Sequence, residues 1–178
     1  MTKRGEFAHM VIRTVLLSAC ILLTSLAGSL AFAQAEEPKE PVLRLINFTA
    51  DWCPNCRVLN PRLEEALEEL DHGLVERVDL DMSRGGSNAS DYDKVLAWNE
   101  AIRVAESKQA RYLWDWYGGI TGIAVIISAD NGEPISCVNR RFSKDQIVGR
   151  LKQAEIISKR RPAGSRMPEG PECPAPMR

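Results

Sequence analysis

Two cysteines separated by two residues, Cys53 and Cys56, sit in the stretch "FTADWCPNCRVLNP", residues 48–61. Sulfurs at that spacing can trade electrons as a dithiol–disulfide couple, give two ligands to a metal, or close a permanent staple. For exchange chemistry one sulfur attacks as the thiolate and the other resolves the mixed disulfide that forms. The pair falls where a strand-like run hands over to a helical period. Pro54 suits the first helical position, where a missing N–H costs no hydrogen bond. The free amides of that turn favour negative charge, so the Cys53 thiol is expected to titrate below the free value of about 8.5 and to be the exposed, attacking sulfur. Cys56 lies one turn on, on the same face and within disulfide reach, and is expected to be the shielded, resolving sulfur. Asn55 completes the motif, and Asp51 and Trp52 lead into it. Trp52 either shields the pair and meets substrate or simply packs. A zinc site takes four ligands where one Cys-x-x-Cys supplies two. His72 reads as a cation at a helix end. Cu(I), which accepts two thiolates, stays open as an alternative. The exchange reading requires no cofactor.

Positioning two sulfurs takes a strand on one side and a helix on the other. "VLRLINF" (42–48) is short, apolar and β-prone. After the cysteines, Leu59, Leu63, Leu67 and Leu70 recur at helical spacing opposite Glu64, Glu65, Glu68 and Glu69, and Gly73 is expected to stop that helix. "LVERVDLDM" (74–82) alternates as a strand does. Ser90 or Asp91 caps a second helix, with Val95, Trp98, Ile102 and Ala105 as its apolar face. "GIAVIIS" (122–128) reads as a buried strand, "DNGE" as an Asn-Gly turn, and "PISCVNR" (134–140) as the returning strand. Ser143 with Gln146 forms a capping box for a last helix that presents Ile147, Val148, Leu151 and Ile156. The order β-α-β-α-β-β-α predicts an α/β fold, a mixed four-stranded sheet with helices on both faces and a right-handed parallel first crossover.

The chain has 178 residues and a formal net charge of -1, which suits one domain and gives no sign of a nucleic-acid partner. Residues 1–33 carry a positive head, an uncharged apolar run and the exit Ala31-Phe32-Ala33, the pattern of a secretory signal. The run is also long enough for an uncleaved membrane anchor, and "LSAC" (17–20) offers a lipoprotein signal at Cys20. Each reading exports the rest of the chain, to the periplasm in a Gram-negative host, with the membrane as a partner only if the segment is retained. Residues 34–41 read as a linker, 42–158 as the folded domain, and 159–178, rich in Pro, Gly and charge, as a disordered tail. Outside the cytosol disulfides persist. Cys137 and Cys173 then have three options: a bridge to each other, an intermolecular bond, or free thiols.

"ADWCPNCR" resembles the thioredoxin-like superfamily, whose motif is Trp-Cys-x-x-Cys followed by a basic residue. Pro61 matches the proline that kinks the first helix there, and "DNGE" matches the turn before the last strand. "FTADWC" is most similar to the C-terminal periplasmic domain of the Dsb-type transmembrane reductant carriers. The resemblance implies a thioredoxin-like fold with Cys53 as nucleophile and Cys56 as resolver, protein thiols or disulfides as substrates, and a membrane-bound electron donor if the protein works as a reductant. It also implies substrate docking at Trp52 and at Ile123–Ala124. This chain departs from the family pattern in three places. Ala124 stands where the family has a cis-proline. A cis bond before a non-proline costs about 2.5–4 kcal/mol, so the Ile123–Ala124 bond is expected to be trans. Asn47 replaces a buried acid that handles the resolving thiol's proton, a task that Asp51 or a water is left to perform. Residues 83–121 form an insertion whose aromatic stretch "YLWDWYGG" (112–119) either packs through Leu113, Trp114 and Tyr117 or lines a substrate groove. The rival to an exchange enzyme is a binding module of the same fold, with the pair holding Cu(I) or a fixed disulfide.

Overall fold

The computed structural model describes residues 40–166 and 173–175; the apolar N-terminal segment lies outside them. The first apolar run becomes β1 (Leu43–Thr49), in which every residue but Arg44 is buried. A strand buried on both faces belongs inside a sheet, and the strand order is β2-β1-β3-β4. β2 (Val75–Asp81) runs parallel to β1, from Leu43 opposite Val75 to Thr49 opposite Asp81. β3 (Ile123–Ser128), buried throughout, is antiparallel to β1, and β4 (Pro134–Asn139) is antiparallel to β3. Helices α1 (Pro54–Glu68) and α4 (Lys144–Arg160) seal one face over Leu43, Leu45, Ala124 and Ile126. Helices α2 (Asp91–Ser107) and α3 (Arg111–Tyr117) seal the other over Ile46, Phe48, Val125 and Ile127. The expected mixed four-stranded sheet with helices on both faces is present.

Four local expectations are corrected. α1 ends at Glu68 with Glu69 as its cap, and Gly73, at φ 83°, serves the turn into β2 instead. α2 buries Ala105 as expected, but beside Ala97 and Ala101, while Val95 and Trp98 are half exposed. Three alanines in a row of turns let that helix approach closely, and the bulky residues are displaced to its flank. In α4, whose Ser143–Gln146 capping box forms as expected, Ala154 and Ser158 are buried and Ile156 is half exposed. The aromatic stretch, read without an element, is the short helix α3. Ala110 caps it without any side-chain bond, so it carries no N-terminal signature in the sequence. Its spacing signal is Leu113, Trp114 and Tyr117 on one face, and those three are buried.

The reading of 159–178 as a disordered tail fails for its described residues. α4 runs to Arg160. Arg166, 6% exposed, donates to the Asp130 carboxylate at 2.6 and 2.8 Å and to the Ser128 hydroxyl at 2.6 Å. Glu133 accepts the backbone amides of Gly164 and Arg166. Cys173 is bonded to Cys137 on β4. A buried guanidinium needs this set of acceptors to offset its lost hydration.

The same clamp has a pH signature. The Arg166 guanidinium holds the Asp130 carboxyl below its ordinary value, against a smaller opposing effect of burial. A carboxyl depressed by folding contributes stability above its unfolded pKa and loses it as pH falls through the folded one. Asp130→Asn is therefore expected to lower the melting temperature at neutral pH. The gap to wild type should close once the solution is acidified below the ordinary carboxylate range. A gap that persists unchanged in acid would show that the charge contributes nothing.

Candidate active site

β1 carries the chain to Ala50, and a tight turn closed by Cys53 N–H donating to the Ala50 carbonyl (3.1 Å) delivers Cys53 to the start of α1. Cys53 is the N-cap. Its Sγ accepts the backbone amide of Cys56 at 3.1 Å, the bond that would hold a thiolate, and Pro54 opens the helix as expected. Cys53 and Cys56 form a disulfide with their Cα atoms 5.3 Å apart. Pro61 lies inside α1, beyond the first two turns.

Both sulfurs are covered: Cys53 is 2% exposed and Cys56 1%. The expectation of an exposed Cys53 is thus corrected for the disulfide form. The backbone at Gly122 lies against its sulfur. A Cβ on Gly122 would lie 2.4 Å from Asn55 Cβ and 3.4 Å from Cys53 Sγ, and Gly122 has φ 85°. Only a residue with no side chain permits that approach. The Phe48 carbonyl joins the two sides: it accepts Gly122 N–H at 2.8 Å and lies 3.9 Å from Cys56 Sγ. Gly122→Ala is expected to destabilise the fold by about 1–3 kcal/mol through the contact and the left-handed backbone. It should also loosen the turn around Cys53, read as a higher alkylation rate of the reduced protein. A neutral effect on both would mean that the close approach is not needed.

The other candidates are placed as follows. Trp52 is 43% exposed, with its indole N–H donating to the Met82 carbonyl at 3.2 Å and Gly86 packed on the ring. Ile123 and Ala124 are both buried and offer no side-chain surface for docking. Ile123 packs in the core that contains the cysteines, whereas Ala124 points into the opposite core under α1 and α4. Gly122, not Ala124, faces the sulfur. No cis peptide bond occurs among the described residues, so the Ile123–Ala124 bond is trans as expected. Asp51 stands in the exposed turn, its amide bonded to the Ser83 hydroxyl at 2.9 Å.

Asn47 is fully buried beneath α1. Its amide nitrogen donates to Asp79 at 2.7 Å and to the Asn60 side-chain oxygen at 3.1 Å, and Asn60 in turn donates to the Thr49 hydroxyl at 2.9 Å. Both acceptors fix the NH2 end, which leaves Asn47 Oδ1 without a donor among the described protein groups. Sequence reasoning missed Gly122, Asn60 and Asp79. The first was visible in "GITGIAVII", two residues before the aligned Ala124. Asp79 depends on pairing across the sheet, where it stands opposite Asn47, and Asn60 on the packing of α1 over β1.

The insertion packs onto the pair's rear. Phe48 stacks on Trp114 at 6.5 Å and meets Tyr117 edge-on at 6.1 Å, and Trp98 meets Trp114 at 6.0 Å. Leu113, Trp114 and Tyr117 therefore pack, the first of the two readings of this stretch. A cavity of about 590 Å³ lined by Arg44, Glu76, Asp130 and Lys159 involves none of the site residues. Among the described residues no group of three or more His, Cys, Asp or Glu is arranged to hold a metal.

A strand, a cysteine-capped helix and the mixed sheet behind them coincide with a family match: the thioredoxin family model covers residues 31–95. Residues 31–95 thus resemble the thioredoxin family, and the fold is thioredoxin-like. This thioredoxin-like domain is 46% identical to the thioredoxin of Chlamydia trachomatis over 41 residues, 23% of this chain and 40% of that one. It is 29% identical to the thioredoxin of Chlamydia pneumoniae over 77 residues, 40% of this chain and 76% of that one. The chain thus spans less than half the length of the first of these relatives. Among solved structures, StoA from Bacillus subtilis aligns with a TM-score of 0.42 and 12% identity, over 64% of this chain and 84% of that one.

Proposed function

We propose that this protein carries out thiol–disulfide exchange on other proteins outside the cytosol, with Cys53 as the attacking sulfur and Cys56 as the resolver. The observation that supports this most is the N-cap geometry. Cys53 Sγ already accepts a first-turn amide at 3.1 Å, so a thiolate formed there meets a donor in place. Cys56, one turn on and bonded to it, is placed to displace a partner sulfur. The thiolate of Cys53 attacks a partner disulfide and releases one partner thiolate. Cys56 then attacks Cys53 Sγ, closing the intramolecular disulfide and releasing the second. Two electrons pass to the partner, and the reverse sequence oxidises a dithiol.

Export rests on the residue pattern of positions 1–33. No helix among the described residues is long and apolar enough to cross a membrane. In a compartment without a thiol buffer, a reductant of this type needs a dithiol donor at the membrane to recharge it. The test is reduction of a protein disulfide such as that of insulin, and oxidation of a reduced unfolded protein, by wild type and by Cys53→Ser. Activity in either direction that vanishes in the variant supports the proposal. A wild-type protein inert in both directions, with a pair that binds Cu(I) stoichiometrically once reduced, would replace it by the binding-module reading.

A further inference from the structure

Cys53 must be reached before it can attack, and Gly122, the last residue of the loop Gly118–Gly122, lies against its sulfur. That loop is held by Gly118 N–H on the Trp114 carbonyl (2.7 Å), Ile120 N–H on the Tyr117 carbonyl (2.9 Å) and Gly122 N–H on the Phe48 carbonyl. Two of the three bonds run to α3. Gly119, φ 93°, is exposed, and beyond its chain neighbours no atom lies within 4 Å of where a Cβ would sit. α3 has seven residues and no side-chain cap, too short to persist without tertiary contacts. Its rings rest on Phe48, and at its last residue the Tyr117 hydroxyl donates to the Pro174 carbonyl at 2.9 Å. Pro174 follows Cys173, which is bonded to Cys137 in β4. Tyr117 is 3% exposed, so loss of that acceptor leaves a hydroxyl unpaired in the core.

We infer that the Cys137–Cys173 disulfide governs access to Cys53: acting through Pro174 and Tyr117, it keeps α3 and the Gly118–Gly122 loop down on the attacking sulfur, and its reduction frees them. The inference adds a regulatory device to the exchange reading and rests on it only for its consequence, since access to Cys53 can be measured without turnover. The opening reaction needs an external dithiol. Its thiolate attacks Cys173 Sγ, the less buried of the two sulfurs, and Cys137 leaves as thiolate and takes a proton. The second thiol of the reductant then displaces Cys173. The protein gains two thiols and the reductant leaves as a disulfide. The oxidised chain is the guarded form and the reduced chain the open one.

The test uses the full chain with Cys56→Ser, so that Cys53 is a free thiol while the second disulfide stays intact. Alkylation of Cys53 by iodoacetamide is followed by mass spectrometry across pH. The plateau rate at high pH reports access, and the midpoint reports the thiolate. Adding Cys137→Ser and Cys173→Ser is expected to raise the plateau about fivefold or more, as local opening becomes easier. Adding Tyr117→Phe instead, which keeps the disulfide, should raise it in the same direction by less. Equal plateaus in folded variants overturn the inference. If the double serine variant does not fold, Tyr117→Phe decides alone, and an unchanged plateau there overturns it equally. A raised plateau in a protein that exchanges no disulfides would instead sink the proposed function and leave the device standing.

Discussion

Cys53→Ser is expected to abolish disulfide exchange, by at least about a thousandfold, and Cys56→Ser to turn the protein into a trap for its partners. The two outcomes differ because the sulfurs stand in different places. Cys53 caps α1 and its Sγ accepts the Cys56 amide. A serine hydroxyl there keeps the cap, so the fold survives, but at neutral pH it is not a nucleophile toward sulfur. Cys56 lies deeper, 3.9 Å from the Phe48 carbonyl, and has no role in the first attack. Without it Cys53 still forms the mixed disulfide, and nothing within the protein resolves it. Incubation of Cys56→Ser with an extract of oxidised secreted proteins should give covalent adducts, resolved by non-reducing electrophoresis and cleared by a small dithiol. The Cys53→Ser protein should give none. Adducts in both variants would point to a reactive sulfur other than Cys53, and adducts in neither, even with Cys137 and Cys173 also replaced by serine, would remove the exchange assignment.

The strands were legible because burial on both faces leaves little choice of residue. β1 and β3 are continuous apolar runs in the sequence, and in the structure their ends move by a residue at most. The cap at Cys53, the Asn131–Gly132 turn with Gly132 at φ 75°, and the Ser143–Gln146 box were legible for the same local reason. The faces of α1 and α4 were legible through Leu59 and Leu63 and through Ile147, Val148 and Leu151, but that of α2 was not. Periodicity in α2 marked the large residues Val95 and Trp98, but a helix packed closely on a sheet and a neighbouring helix buries its small ones. Ala97 and Ala101 carry a weak hydropathy signal. The tail misled for a related reason. Pro, Gly and charge suggest disorder when nothing is available to bury, yet one arginine meeting Asp130 and one disulfide suffice to tie it down. At the site, the motif named its own residues correctly as neighbours. What it could not show is the partner across the sheet. Gly122 reaches Cys53 only because β3 lies beside β1, with Ile123 opposite Phe48.

Replacing Cys137 and Cys173 together by serine is expected to cost about 4 kcal/mol of folding stability, on the chain-entropy account of a closed loop of that length. The bond joins residues 36 apart in sequence, and its main effect is to restrict the unfolded chain. The native tail has a second attachment in Arg166, bonded to Asp130 and Ser128. The stretch around Arg166 should therefore stay in place when the bond is absent, only the Cys173–Pro174 end is released, and most of the loss should appear through the unfolded state. That makes a specific signature in urea denaturation. The midpoint falls, and the slope rises, because the unlinked chain exposes more surface when it unfolds. Arg166→Ala acts in the opposite manner: it removes a native contact and leaves Asp130 without its cation, so the midpoint falls with the slope unchanged. The two attachments close overlapping loops, so the combined variant should lose less than the sum of the separate losses if either alone already frees the tail. A double serine variant that loses less than about 1 kcal/mol, with no change of slope, would mean that the bond does not constrain the unfolded chain.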